Sequence, residues 1–301
     1  MNFKYIVKRI GRIINWDYHK YLVDHHPRKV IDEIWLKEFG YTVDWNNPRD
    51  LNEKIEWLIC YGDTTKWPLL ADKYRVRDYI TQKGYSHILT QLYGVWNDAR
   101  KIDFSQLPQK FVLKCNHDYG SIFIIDKKKG FDQEFIINEL NKKLKQKFGY
   151  QSCEPHYNKI KPLIIAEEYL ESTQDTYSTS LIDYKVWCFN GKPYCIFTCY
   201  NRDSFGLETN VYDLNWNVHP EYSVFSNHFR DGKGRIPRPP ILDKLLNAAS
   251  VLSQDLPQAR IDFYIVNGDL YFGEITLTSN CGRMSYLSKE YLIELGNFVE
   301  L

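Results

Sequence analysis

Two Asn-Gly steps constrain the C-terminal half of the chain to form hairpins. Asn190-Gly191 joins the alternating segments LIDYKVWCF and KPYCIFTCYN, and Asn267-Gly268 joins ARIDFYIV to LYFGEITLT. An Asn-Gly pair favours the positive φ angles of a type I′ turn, whose twist matches that of two antiparallel strands. The sequence therefore predicts two antiparallel hairpins in this half.

The rest of the chain passes from a helical pattern to short strands. Helical spacing predominates from Val30 to about Lys83, and the short apolar segments KFVLKC, SIFIID and PLIIAEEYL follow. A charged helical pattern over Phe131–Phe148 separates the second of these segments from the third. We expect an α+β fold with three parts: a mainly helical region over residues 1–108, one α+β unit over residues 109–176 and another over residues 177–301.

Charge and cysteine content narrow the function classes. The 301 residues carry 39 Lys and Arg against 38 Asp and Glu, a net charge of +1. This balance gives no surface-wide field that would concentrate a polyanion, so we do not expect a nucleic-acid partner. The seven cysteines are scattered and odd in number, and we find no secretory leader, which favours a cytoplasmic location.

The first sixteen residues combine basic and apolar side chains. Lys4, Lys8, Arg9 and Arg12 are interleaved with isoleucines at helical spacing, and no acid intervenes. Such a segment can lie on an anionic membrane surface, so we expect peripheral contact with the inner face of the membrane through residues 1–16. A terminal helix docked on the domain would show the same pattern.

The last predicted hairpin carries the side chains most suggestive of chemistry. Arg260 and Asp262 are two residues apart and share one face of their strand, as do Glu274 and Thr276 on the next. Carboxylates beside a cation suit a divalent metal ion and a phosphate group. Polar alternation on a half-exposed sheet would produce the same pattern.

Two earlier strands also carry polar side chains in unexpected places. Lys114 lies within the apolar segment FVLKC, next to a loop of small and polar residues, where burial without an anion would be costly. Glu167 and Glu168 end an apolar strand, where backbone groups are free to contact a nucleobase. A lysine that reaches water and two solvent-facing acids are the alternatives.

These motifs, in this order, resemble the ATP-grasp superfamily and, within it, the TupA-like proteins of polysaccharide biosynthesis. The resemblance covers nearly the whole chain and implies two α+β lobes that clasp ATP, behind a small helical N-terminal region. The segments that carry it are LNEKIEWL, LADKYRVRDYI, FVLKCNHDYGS, DYKVWCFNGKP and RIDFYIVNGDLYFGEITLTSN.

The resemblance implies a role for each motif residue in binding ATP and Mg²⁺. The residues implied at the nucleotide phosphates are Lys114 and the loop residues Asn116, His117, Gly120 and Ser121. The adenine hinge would comprise Glu167, Glu168, Tyr169 and Leu170, with Asp183 near the ribose. Lys185 would lie near the phosphates or the acceptor, Arg260 would hold the transferring phosphoryl group, and Asp262, Glu274 and Thr276 would bind Mg²⁺.

Two positions depart from the family pattern. The loop lacks a second glycine after His117, and Thr276 stands where D-alanine–D-alanine ligases usually have asparagine as the third metal ligand. Asn280, a little further along, is the alternative third ligand.

The activity implied is that of a carboxylate-amine ligase that proceeds through an acyl phosphate. We expect it to join an amino acid or small amine to a uronic acid of a bacterial surface polysaccharide. Arg202 would pair with the sugar carboxylate, and Tyr212 and Trp216 would stack on sugar faces, unless these aromatics simply pack on the lobe. The alternatives are a glycosyltransferase, although no Asp-x-Asp triplet is present, and a non-catalytic nucleotide- or sugar-binding module.

Overall fold

A set of short helices forms the N-terminal part of the structure. The computed structural model describes residues 15–171 and 177–301, so most of the basic segment 1–16 lies outside the described residues. Residues 15–25 are helical (α1). The helices that follow are α2 (Pro27–Phe39), α3 (Leu51–Tyr61), α4 (Trp67–Ala71) and α5 (Val76–Gln82).

Side-chain capping fixes the start of α3. Asp50 precedes α3 and accepts a hydrogen bond from the backbone amide of Glu53 at 2.8 Å. The Glu53 carboxylate in turn accepts from the amide of Arg49 at 2.8 Å. These bonds satisfy amide groups that a helix start leaves without partners, which fixes where α3 begins.

The first sheet has four antiparallel strands and its own core. Its strands are β1 (Leu92–Trp96), β2 (Lys110–Cys115), β3 (Phe123–Asp126) and β4 (Ile164–Glu168), in the order β1-β4-β2-β3. Because β1 pairs with β4, the sheet begins before the boundary predicted at residue 108. Helix α6 (Gln133–Lys143) packs on it through Ile136 and Leu140 and is shorter than the predicted helix over 131–148. Two single-turn helices follow, α7 (Gly149–Ser152) and α8 (Pro155–Asn158).

The second sheet contains both predicted hairpins. Its strands are β5 (Asp183–Phe189), β6 (Lys192–Tyr200), β7 (Leu207–Tyr212), β8 (Phe229–Asp231), β9 (Ala259–Val266) and β10 (Asp269–Thr276), in the order β10-β9-β5-β6-β7-β8. Asn190 and Gly191 have φ angles of 48° and 77°, and Asn267 and Gly268 have 53° and 90°. These values explain why Asn-Gly stands at both turns. Helices α9 (Leu242–Leu252) and α10 (Lys289–Gly296) complete the unit.

The packing gives the two sheets different partners. Apolar residues of the N-terminal helices, among them Ile31, Trp35 and Ile55, share one continuous core with the second sheet. The first sheet and α6 form a separate core around Phe111 and Leu113. The predicted α+β fold with a helical N-terminal region is therefore confirmed, and the two sheets leave a cleft between them.

A buried histidine makes the free energy of unfolding pH-dependent. His156 of α8 is 3% exposed and lies edge-on to Trp67, with ring centroids 5.3 Å apart. Neither ring nitrogen has a hydrogen-bond partner among the described residues. Burial, reinforced by the Lys159 ammonium group, lowers the pKa of His156 to about 3.

We expect His156→Phe to reduce the acid sensitivity of the fold. Below about pH 6.5 the unfolded chain protonates this residue but the folded chain does not, so stability falls as the pH drops from about 6.5 towards 3. Between pH 7 and pH 4.5 the wild type should lose about 2–3 kcal/mol more than the variant. Urea titrations at both pH values measure the difference, and parallel losses in the two proteins would contradict it.

Among the described residues, no helix combines the length and the apolar character needed to span a bilayer.

Candidate functional site

A cavity of about 310 Å³ lies in the cleft between the two sheets. Residues from β2 and β4 line one side, and residues from β5, β9 and β10 line the other. The N-terminal region contributes Lys73 and Arg77. The cavity is therefore built from all three parts of the chain.

Strand alternation explains why Lys114 faces the cavity. Phe111, Leu113 and Cys115 of β2 are fully buried in the core with α6, so Val112 and Lys114 point to the opposite face and line the cavity. The Lys114 Nζ atom lies 2.5 Å from Glu167 Oε2, and Arg77 Nη1 lies 3.6 Å from Glu167 Oε1. Glu167 thus holds two cations at this side of the cleft.

Register places the charged residues of the second sheet together. Asp262 on β9 lies opposite Lys185 on β5 and opposite Glu274 on β10. Lys185 Nζ is 2.5 Å from Asp262 Oδ2, and Arg260 Nε is 2.7 Å from Asp262 Oδ1. Asp262 is 2% exposed, and burial alone would raise its pKa. The adjacent Arg260 and Lys185 outweigh burial, so the pKa of Asp262 is lowered and it is a carboxylate at neutral pH.

A β-bulge at Gly273 aims Glu274 into the cavity. Phe272 pairs with Phe263, but Glu274 pairs with Asp262, so the register shifts by one residue between them. Without this shift Glu274 would lie opposite Ile261, which is fully buried in the core. A Cβ atom at position 273 would lie 3.0 Å from the Asp262 carbonyl oxygen, so glycine suits the bulge.

The structure brings nine of the predicted site residues to the cavity wall. They are Lys114, Glu167, Glu168, Tyr169, Leu170, Asp183, Lys185, Asp262 and Glu274. Arg260 and Thr276 do not line it but lie directly behind: Arg260 Nη2 donates to Glu274 Oε1 at 3.2 Å and to Thr276 Oγ1 at 3.1 Å. Arg260 and Thr276 thus orient the carboxylates that line the cavity.

The predicted phosphate loop is held in place by its own side chains. The side-chain Nδ2 of Asn116 donates to Asp72 Oδ1 at 2.8 Å, and His117 Nε2 lies 3.2 Å from the Gln146 carbonyl oxygen. Ser121 Oγ accepts from the backbone amide of Cys115 at 3.0 Å. Asn116, His117 and Ser121 are at most 1% exposed and do not line the cavity. Gly120, with φ 87°, is exposed but is not among the lining residues either.

The residues predicted to bind sugar lie elsewhere. Tyr212 is 1% exposed and stacks on Trp216 with ring centroids 4.3 Å apart, and the Trp216 indole donates to the Ile236 carbonyl oxygen at 2.9 Å. Tyr212 therefore packs on the lobe, as in the alternative given above, whereas Trp216 is half-buried, and its stacking on a sugar stays a prediction. Arg202 binds Asp183 at 2.9 Å at the edge of the cavity.

Magnesium fits the donor set of this site. Asp262 and Glu274 are neighbours across the strand pair, and Thr276 Oγ1 lies 2.8 Å from Glu274 Oε1. The described residues contain no group of three or more His, Cys, Asp or Glu able to hold a metal ion. Two carboxylates suit Mg²⁺, which takes few protein ligands and completes its shell with water and substrate phosphates. Asn280, the alternative third ligand, does not line the cavity, and its side-chain Nδ2 donates to the Arg283 carbonyl oxygen at 2.6 Å.

Sequence reasoning missed two cations and a tyrosine. Lys73, Arg77 and Tyr264 all line the cavity. The Lys73 ammonium group donates to the Asp118 carbonyl oxygen at 2.5 Å and so connects the N-terminal region to the loop over residues 116–121. Lys73 precedes α5 and Arg77 lies in it, and their spacing of four residues was a signal available in the sequence.

One protein family matches most of the chain. The family described as TupA-like ATPgrasp matches residues 53–300. No curated protein sequence matches the chain significantly. Among solved structures, the D-alanine–D-alanine ligase from Bacillus anthracis in complex with ATP is similar at 13% identity and a TM-score of 0.38, over 84% of this chain and 63% of that one.

Two further structures show comparable similarity. The D-alanine–D-alanine ligase from Helicobacter pylori is 14% identical with a TM-score of 0.42, over 83% of this chain and 66% of that one. The ATP-grasp ligase PsnB with a minimal precursor, Mg and ADP is 11% identical with a TM-score of 0.38, over 78% of this chain and 59% of that one. The chain thus spans less than two thirds of the length of these ligases.

Proposed function

The chain belongs to the TupA-like ATP-grasp family, and on this premise we propose that it binds MgATP in the cleft and couples a carboxylate to an amine. The observation that carries the proposal is the pairing of Asp262 and Glu274 on one wall with Lys114 on the other, around a cavity of about 310 Å³. Carboxylates for a metal ion and cations for phosphates then meet across a single cleft.

The cavity lining includes residue types suited to both parts of a nucleotide. Val112, Ile122, Ile124, Leu170, Leu181 and Phe272 supply apolar surface for a base. Lys73, Lys114 and Lys185 supply ammonium groups for phosphates. Asp262 and Glu274 would hold Mg²⁺, which neutralises phosphate charge when bound.

The chemistry proposed requires positioning rather than a covalent enzyme intermediate. The acceptor carboxylate attacks the γ-phosphorus, ADP leaves, and the amine then displaces phosphate from the acyl phosphate. Lys114 and Lys185 stabilise negative charge on the transferring group, and Arg260 fixes the two carboxylates from behind. A closed cleft would exclude water from the acyl phosphate.

For the acceptor we propose a uronic acid of a bacterial surface polysaccharide, and for the amine an amino acid or another small amine. The support is the resemblance of the sequence motifs to polysaccharide-biosynthesis proteins. Release of ADP in a screen of amino acids against uronic acids tests the pairing. A signal confined to other carboxylates, such as free D-alanine, would overturn this choice of acceptor and leave the ligase chemistry standing.

ATP should stabilise the protein, and Mg²⁺ should increase the effect. At a ligand concentration about 100-fold above Kd we expect about 2–3 kcal/mol of added stability. Thermal denaturation with ATP, with and without Mg²⁺, provides the measurement, and GTP serves as the control for base selection. No shift with any nucleotide would contradict the proposed function.

A further inference from the structure

A second, open groove lies on the outer side of the first sheet's unit. It has a volume of about 890 Å³ and runs between the C-terminal half of α6 and the residues that precede β4. Its polar lining includes Arg100, Asn141, Lys142, Lys145, Gln146 and Lys161. None of these residues lines the cleft between the sheets.

The groove concentrates positive charge in a chain that is nearly neutral as a whole. Four cationic side chains line it, and one of them, Lys142, lies 3.3 Å from Glu139 on the same helix. Asp98 is the acid that lines the groove, and it is bound by Arg100 at 2.6 Å and by the Asn141 amide at 3.1 Å. Lys145 and Lys161 are exposed, and within the described ranges their ammonium groups make no ion pair.

The wall of the groove is joined to the loop beside Lys114. The Lys161 carbonyl oxygen accepts a hydrogen bond from the Asn116 amide at 3.0 Å. The Gln146 carbonyl oxygen lies 3.2 Å from His117 Nε2. Two hydrogen bonds therefore join the wall of the groove to the loop that follows Lys114.

We propose that this groove binds an acidic saccharide chain. Ammonium groups recognise carboxylates, and the carboxamides of Asn138 and Gln146 can both donate to and accept from sugar hydroxyl groups. The Asn141 carboxamide already accepts from the Ala99 backbone amide and donates to Asp98, so it shapes the groove. The apolar lining is limited to Leu144 and Pro162. A single-stranded nucleic acid would call for aromatic stacking surfaces, and a membrane surface for exposed aromatic or aliphatic side chains, so the lining favours the saccharide.

The test uses the whole protein without nucleotide and a defined oligogalacturonate as probe, with a neutral galactan oligomer of equal length as control. We expect salt-sensitive binding of the acidic oligomer only. The double variant K145E/K161E should weaken this binding by about tenfold or more, because it reverses two unpaired charges of the groove. The matched control is K128E/K129E, which makes the same charge change at two exposed lysines of the β3–α6 connection and should remain within about twofold of wild type.

Each alternative outcome overturns the proposal. Equal losses in the two double variants would show non-specific attraction by overall charge. Binding of the neutral oligomer, or stronger groove-dependent binding of phosphatidylglycerol vesicles or poly-glutamate, would show another ligand class. The ATP-dependent thermal shift should be unchanged in K145E/K161E, so a failure of this proposal can be distinguished from a failure of the proposed function.

Discussion

Asp262→Asn is expected to destabilise the protein as well as abolish Mg²⁺-dependent nucleotide binding. Asp262 is buried between Lys185 Nζ at 2.5 Å and Arg260 Nε at 2.7 Å. Removing its charge leaves two buried cations without their main partner, which costs about 3–5 kcal/mol when a buried ion pair loses one member. Urea denaturation measures the first effect, and titration of ATP with and without Mg²⁺ measures the second.

The matched control for this variant is Asp269→Asn. Asp269 begins β10 on the same hairpin but is exposed, so the same chemical change should alter stability by less than about 0.5 kcal/mol. A stable Asp262→Asn protein whose ATP binding still responds to Mg²⁺ would contradict two claims: that the buried ion pair stabilises the fold, and that Asp262 binds the metal ion.

Glu274→Gln should reduce turnover strongly but leave stability almost unchanged. The Glu274 side chain is 42% exposed, and the buried Arg260 that it contacts keeps its closer partner Asp262 in this variant, so stability should change little. As a proposed Mg²⁺ ligand on the cavity wall, it should affect turnover strongly. We expect ADP release to fall on the order of 100-fold, and the increase in ATP affinity caused by Mg²⁺ to disappear.

Glu290→Gln, at an exposed position in the first turn of α10, controls for the amide substitution itself. It should keep wild-type ADP release and the wild-type response to Mg²⁺. If Glu274→Gln behaved like this control, the metal ligands would have to be sought among the other carboxylates of the cavity, Glu167, Glu168 and Asp183.

Local chemistry in the sequence was sufficient to predict several elements. The Asn-Gly steps fix the two hairpin turns through their positive φ angles. Alternation along FVLKC separates Lys114 from its apolar neighbours, which places it on the face away from α6. These features depend on neighbours within a few residues, so they can be read from the chain.

The placement of Glu274 on the cavity face could not be predicted from its neighbours in the sequence. A two-residue turn at Asn267-Gly268 with regular pairing would set Glu274 opposite Ile261, on the core face. The bulge at Gly273 moves Glu274 from the core face to the cavity face. A glycine in the sequence does not by itself show on which side of it the pairing register shifts. The proposed metal site therefore depends on a local irregularity in the pairing of β10 with β9.

The sequence by itself determined which strands carry side chains of the types that suit ATP, metal and phosphate, because side-chain chemistry and strand parity are local properties. Only the tertiary structure decided which of them meet. Lys73 and Arg77 join Lys114 and Asp262 in one cavity although up to 189 residues separate them along the chain. Asn116, His117 and Ser121 instead use their polar groups to fasten the loop, because buried hydrogen-bonding groups must find partners within the fold.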